Sequence, residues 1–173
     1  MNLLLFIGAL TPCAFPVQNL QLKTEQAHFI EFCLRNIEPN EVPTSIKIAQ
    51  AILESGWGKS ELAKSLNYHG IKCFQNCDKV VFLSDDHPNE KFRVYKSPRE
   101  SFEHNNRLLK KRKVTGDYKT WAKSLTWYAT NPQYPEKLIH LIEKYNLHQY
   151  DTRDNCNYHC MGVYPGSKPR IHG

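Results

Sequence analysis

The run PTSIKIAQAILESGWG (43–58) limits the fold more than any other stretch of the chain. On a helix turning about 100° per residue, Ile46, Ile48, Ala49, Ala51, Ile52 and Leu53 cover more than half the circumference. A helix that is apolar on so many sides has to be enclosed, so the rest of the chain must build a core around it. Pro43 stands where a first helical residue would, and Gly56 stops the run. Lys47, Gln50 and Glu54 share the one narrow polar strip that remains. Periodicity alone reads such a strip as the solvated face of a core helix, whereas its narrowness also fits the floor of a cleft.

The flanking sequence supplies the enclosing elements. From Lys23 to Ile37, the residues Phe29, Ile30, Cys33, Leu34 and Ile37 recur at helical spacing, and Pro39 and Pro43 bracket the connection that follows. Ser60 to Leu66 suggest a shorter helix. The composition then turns to KVVFLS (79–84) and FRVYKS (92–97), which read as two strands, with SDDHPNE between them as a hairpin loop carrying Asp85, Asp86 and Glu90. Ser97, Pro98, Arg99 and Glu100 spell a capping box that starts a helix running towards Arg112. Its basic end (Arg107, Lys110, Lys111, Arg112, Lys113) has the look of a nucleic-acid patch. Cations in a last helical turn also offset the helix dipole and face water, which is the preferred reading. Two more helices are expected, Tyr118 to Trp127 and Pro135 to Tyr145, the latter with Leu138, Ile139, Ile142 and Tyr145 on one side. The pattern is α+β: a mainly helical domain with a small β-hairpin inserted near its middle.

With 173 residues, 40% of them hydrophobic, the chain can bury one real core. Residues 1–18 are expected to be a signal peptide, because 2–18 carry no charge and Leu3 to Leu10 form an apolar run too short for a membrane span. An apolar segment joining the core is the other reading. Cys13, in LTPC, faintly suggests lipid attachment, and the protein is expected to be exported. The folded domain would span 19–151, and 152–173 would form an irregular tail. Past the signal lie Cys33, Cys73, Cys77, Cys156 and Cys160. Two short-range disulfides, Cys73 with Cys77 and Cys156 with Cys160, plus a buried Cys33 would suit an oxidising compartment. A four-cysteine metal site is the alternative, with C-x3-C spacings wider than the usual zinc knuckle; no metal is expected. The net charge of +6 favours an anionic partner, and nucleic acid, anionic lipid and cell-wall polymer all qualify.

Glu54 has a chemical reading as well. Trp57 follows it by one turn between Gly56 and Gly58, so the chain can fold back and lay the indole against the carboxyl. Burial disfavours the charged form, and an acid kept protonated near neutrality can donate to the leaving oxygen of a glycosidic bond. Such chemistry asks for a second carboxylate across the cleft, which the acidic hairpin loop offers. Tyr68, Trp121, Trp127, Tyr128 and Tyr134 could stack on sugar faces, although Trp121 at helical spacing from Leu125 suits the core equally.

Four motifs in order, PTSIKIAQAILESGWGKSELA (43–63), NYHGIKC (67–73), FRVYKSPRESF (92–102) and YATNPQYPEKLI (128–139), resemble the glucosaminidase domain of family-73 glycoside hydrolases. That family includes bacterial autolysins and the peptidoglycan hydrolase of flagellar assembly. The resemblance spans roughly Leu20 to Asp151. It implies a lysozyme-like fold with a helical lobe, a small β-lobe and a cleft between them. It also implies an endo-β-N-acetylglucosaminidase that cuts the β-1,4 bond on the reducing side of N-acetylglucosamine. By position, Glu54 matches the family's catalytic acid and Tyr128 its active-site tyrosine, while Asn67 and Tyr68 match a segment that lines the cleft. His69 replaces the usual phenylalanine and Asn131 the usual aspartate. Where the family carries a glutamate at the end of the first β-lobe strand, this chain offers Asp86, then Asp85, with Glu90 third. The expected site is therefore Glu54, Asp86 and Tyr128 for catalysis, with Gln50, Trp57, Asn67, Tyr68, Asp85 and Tyr134 binding substrate. The partner would be peptidoglycan glycan strands, met by a monomer that uses no cofactor and binds no nucleic acid. A muramidase or lytic transglycosylase on the same fold, or a wall-binding module without turnover, are the alternatives.

Overall fold

The computed structural model describes residues 22–38, 40–75, 77–83 and 90–155. The apolar run forms helix α2 (Thr44–Ser55), and the other helices are built around it. α1 (Thr24–Asn36), α3 (Glu61–Lys64), α4 (Pro98–Lys110), α5 (Tyr118–Ser124), α6 (Tyr134–Lys144) and a 3-10 segment (Leu147–Asn155) all touch it. Ile46, Ile48, Ala49 and Ala51 have no exposed surface, and each buried isoleucine side chain contributes on the order of 1.5–3 kcal/mol. Cys33 is buried in the same core, together with Phe102, Leu109, Trp121, Leu138 and Ile142.

The polar strip of α2 does not face water at Lys47 or Gln50: they are 2% and 0% exposed. α4, α6 and the loop before α2 close over it and supply polar partners. Lys47 Nζ donates to the Glu38 carbonyl at 3.0 Å, and Gln50 joins side chains from α4 and α6. The first turn of α2 has no cap of its own; Asp151 of the 3-10 segment supplies one, its carboxylate accepting from Ser45 N–H and Ser45 Oγ at 2.7 Å each.

Local signals set the other boundaries. Ser60 and Asp117 cap α3 and α5 through their side chains. Ser97 Oγ accepts from Glu100 N–H, and Glu100 Oε2 reaches one residue past the cap to accept from Lys96 N–H at 2.8 Å. The basic end of α4 is exposed, with Arg112 over the Trp127 ring at 3.7 Å.

The β-lobe is a two-stranded antiparallel hairpin, β1 (Val80–Leu83) with β2 (Glu90–Arg93), pairing Val80 with Arg93 and Leu83 with Glu90. The second strand starts at Glu90 and ends at Arg93, earlier than the 92–97 expected from its composition. Beyond Arg93 the backbone is taken by the helical lobe: Tyr95 N–H donates to the Ser65 carbonyl, and Ser97 begins α4. The free edge of β2 receives the segment 71–73, with Cys73 N–H on the Lys91 carbonyl at 2.7 Å and Arg93 N–H on the Ile71 carbonyl at 3.0 Å. Cys73 and Cys77 form a disulfide, which leaves neither thiol for a metal, and Cys33 is free. The expected signal with Cys13, the hairpin loop with Asp85 and Asp86, and the tail with Cys156 and Cys160 lie outside the described residues. Among the described residues no helix is long and apolar enough to cross a membrane.

Candidate active site

Glu54 occupies the last turn of α2, just before Gly56 ends the helix in the left-handed conformation. Gln50 lies one turn earlier on the same face. Tyr134, the first residue of α6, and Tyr128, in the turn after α5, stack their rings at 5.6 Å with 13° between planes. Four side chains form a hydrogen-bonded network, with Asn105, Gln50 and Tyr134 buried and Tyr128 partly buried. The Tyr128 hydroxyl lies 2.8 Å from the His69 carbonyl and 3.1 Å from Asn105 Oδ1. Asn105 Nδ2 donates to Gln50 Oε1 at 3.0 Å, and Gln50 Nε2 donates to the Tyr134 hydroxyl at 3.2 Å. The Tyr134 hydroxyl is also near enough to Glu54 for the two groups to influence each other's ionisation.

The electrostatics follow from that enclosure. Burial pushes the Glu54 carboxyl above its ordinary 4.5, and the Tyr134 hydroxyl only partly offsets it. Burial, and next the nearby Glu54 charge, hold Tyr128 and Tyr134 well above the usual phenol range, so both remain hydrogen-bond donors.

The segment 67–71 closes the third side. Asn67 is fully buried and shapes this turn: its Nδ2 donates to the Ile71 and Arg93 carbonyls, and its Oδ1 accepts from Ile71 N–H, each at 3.0 Å. Tyr68 N–H donates to Ser101 Oγ, and its ring packs on Phe32 at 5.0 Å and Phe102 at 5.9 Å. His69 lies beneath the site. Its ring meets Phe102 edge-on at 4.6 Å, Nε2 has no hydrogen-bond partner among the described residues, and burial, only partly offset by the Lys47 backbone, pushes the imidazole down to about 3. Gly70 has φ +60°, and a Cβ there would sit 3.0 Å from Glu54 Oε2. Only glycine lets this backbone approach the carboxyl.

Trp57 sits in the left-handed region at φ 62°, and its ring packs on Phe29 at 6.0 Å and Tyr145 at 4.9 Å. It anchors the end of α2 to α1 and α6. Gly58 is needed for the same anchoring, since a Cβ would come within 2.7 Å of the Phe29 ring. Glu90 pairs with Lys72 at 2.5 Å, which ties β2 to the 71–73 segment.

Glu54, Gln50, Tyr128 and Tyr134 are thus brought together, while Asn67 and Tyr68 build the wall that carries Gly70. Asn105 and Gly70 were not singled out in the sequence. Asn105 had a signal: Phe102, Asn105 and Leu109 share one helical face, so a polar residue interrupts a core stripe.

The glucosaminidase family, described as mannosyl-glycoprotein endo-beta-N-acetylglucosaminidase, matches residues 34–147. An exo-glucosaminidase, LytG, of Bacillus subtilis is 38% identical over 135 residues, covering 66% of this chain and 48% of that protein. A probable N-acetylmuramidase of Lactococcus lactis is 35% identical over 150 residues, covering 71% of this chain and 34% of its own length. The chain spans less than half the length of these curated relatives. Among solved structures, the catalytic domain of the autolysin Auto from Listeria monocytogenes superposes with a TM-score of 0.58 at 33% identity, covering 77% of this chain and 91% of that one. On the extent of the family match, and with a fold shared with that catalytic domain, the chain belongs to the glucosaminidase family.

Proposed function

We propose that the chain is a peptidoglycan hydrolase, an endo-β-N-acetylglucosaminidase that uses Glu54 as general acid. One observation carries the reading: a partly buried carboxyl at the end of the central helix, held above its ordinary pKa and facing two tyrosines that stay protonated. The protonated Glu54 gives its proton to the glycosidic oxygen as the bond to the anomeric carbon breaks. Water then adds to that carbon, and its proton is taken up by a carboxylate. Asp86, then Asp85, are the proposed second carboxylate, since the paired ends of the hairpin, Leu83 and Glu90, bracket their loop. Glu90 is held by Lys72 and fits the role less well. Tyr128 orders the site around Glu54. Gln50 and Tyr134 act on substrate chiefly through their hold on the acid, with Asn67 and Tyr68 forming the adjoining wall. The basic charge suits an anionic wall, and we further propose an exported monomer, with Cys13 as a candidate lipid site.

A muramidase is the second reading, favoured by the name of the Lactococcus relative. Mass spectrometry of digested peptidoglycan tests both. New N-acetylglucosamine reducing ends are expected from the wild type and none from Glu54→Gln with unchanged circular dichroism. N-acetylmuramic or anhydromuramic ends would move the assignment to the second reading, and full activity of Glu54→Gln would remove Glu54 from the chemistry.

A further inference from the structure

The cations at the end of α4 are not all answered by carboxylates. Arg99 and Lys110 have partners, Glu103 at 3.0 Å and Glu41 at 3.4 Å. Arg107, Lys111 and Arg112 are exposed and form no ion pair among the described residues. Arg112 lies past Lys110, the last residue of α4, and its guanidinium sits over the Trp127 ring at 3.7 Å. That contact gives a fixed place to a cation on a long, flexible side chain. Trp127 nevertheless remains 39% exposed. Its ring makes a T-shaped contact with Tyr128 at 5.4 Å, and Tyr128 stacks on Tyr134 at 5.6 Å. The Tyr128 hydroxyl rests on the His69 carbonyl, next to the glycine that lies against Glu54. An exposed indole thus continues the aromatic wall of the site outwards, with a planar cation laid on it.

A flat apolar ring suits the apolar face of a sugar, and a guanidinium takes a carboxylate through two parallel N–H donors. Held together, the two groups select a sugar that carries a carboxylate. In a peptidoglycan strand the muramic acid units do so: each bears a lactyl ether whose carboxyl is either free or extended by an acidic peptide stem, whereas N-acetylglucosamine is neutral. We propose that Trp127 and Arg112 form a subsite for the muramic acid unit, the indole holding the sugar ring and the guanidinium its carboxylate, so that the anionic glycan is preferred to a neutral polymer of N-acetylglucosamine. Arg107 and Lys111 add unpaired positive charge at the same end of α4, which draws an anionic strand towards it. The inference rests on the reading of the chain as a peptidoglycan hydrolase for the identity of the ligand, whereas the subsite itself is a matter of binding and not of turnover.

The test is calorimetric titration of the full chain carrying Glu54→Gln, so that the glycan stays intact. The probes are a tetrasaccharide of alternating N-acetylglucosamine and muramic acid with free lactyl carboxyls, its methyl ester, the same tetrasaccharide bearing peptide stems, and chitotetraose. An acid glycan is expected to bind about fivefold more tightly than the ester or chitotetraose. Arg112→Gln should remove that preference and leave the neutral probes unchanged, and Arg112→Lys, which keeps the charge without the planar fork, should recover part of it. Trp127→Ala should weaken every probe. Both side chains are exposed, so these variants report on binding and not on folding. A preference confined to the free acid assigns the lactyl carboxyl as the ligand, and one confined to the stem-bearing glycan assigns the stem. If neither acid glycan binds better than the ester, or if Arg112→Gln weakens all probes alike, the inference falls, because a merely structural Arg112 would not tell a carboxylate from its ester. Duplex DNA bound more tightly than either acid glycan, with a steep salt dependence that Arg112→Gln abolishes, would overturn it as well and give this surface to nucleic acid. A wild type that releases no sugar while the acid preference persists would refute the proposed hydrolase and leave the subsite standing.

Discussion

Gly70 is the residue whose smallness bears most directly on Glu54. Its φ of +60° is strained for any L side chain, and a Cβ 3.0 Å from Glu54 Oε2 would make the carboxyl give way. Gly70→Ala should cost about 1–2 kcal/mol in folding and displace the carboxyl, lowering kcat/KM at least about tenfold. Thermal melting with glycan-release kinetics reads both; an alanine variant with wild-type kinetics would show that the contact is unimportant. The same residue shows how far a sequence can be read. N-Y-H-G-I-K marks Gly70 as a turn glycine, yet nothing in the motif says that a carboxyl from α2, sixteen residues earlier, is what it must admit. Glu54 itself is legible as an acid on a nearly enclosed helix. Trp57 looked from the sequence like the group that buries it, but the indole packs on Phe29 and Tyr145. The left-handed turn through Gly56 and Trp57 carries the ring off towards α1 and α6, and a helical wheel cannot follow the chain past the point where the helix stops.

Among the elements, α2 depends on a residue far along the chain. Pro43 leads into the helix without capping it, and Asp151 accepts from Ser45 N–H and Oγ at 2.7 Å. A carboxylate there also favours the positive end of the helix dipole. Asp151→Ala should therefore destabilise the protein by about 1–3 kcal/mol, with Asp151→Asn recovering part of the loss, as measured by urea unfolding. Equal stability of wild type and Asp151→Ala would mean that the backbone finds its partners elsewhere. The periodic helices were visible in the sequence because an apolar face buried against a core repeats every turn, and the Ser97, Pro98, Glu100 signal marked the start of α4 locally. The hairpin was visible as two β-rich runs, but its second strand was not placed correctly. Val94 and Tyr95 have strand-forming side chains, but only Val94 still follows the hairpin register, onto the Lys79 carbonyl, whereas Tyr95 N–H is taken by Ser65 at the end of α3. Propensity reports side-chain preference, and which backbone partner wins depends on elements elsewhere in the chain.

On the scale of the whole molecule, pH acts through one group sealed inside the core, His69, and one partly buried, Glu54. His69 titrates at about 3 when folded and near 6.5 when unfolded. Between those values the unfolded chain holds a proton that the folded one refuses, so its contribution to stability is present above 6.5 and is lost as the pH falls towards 3, by on the order of 5 kcal/mol. Glu54, raised when folded, has the opposite slope: its contribution is present below about 4.5 and is lost as the pH rises through its folded value. His69→Phe removes an orphaned Nε2 and should raise neutral stability by about 1 kcal/mol while flattening the loss between pH 6.5 and 3. Unfolding free energies across that range check it, and an acid limb identical to the wild type would mean that other groups govern it. The sequence by itself determined the enclosed helix, the acid at its end, the surrounding helices and the family, because apolar periodicity, caps and ordered motifs are all written within short reach along the chain. Only the tertiary structure decided that Gln50, in the polar strip of α2, is buried in hydrogen bonds to Asn105 and Tyr134, and that a turn glycine lies against Glu54. Those facts depend on which side chains from α4, α6 and the 67–71 segment converge in space, and no short stretch of sequence contains that information.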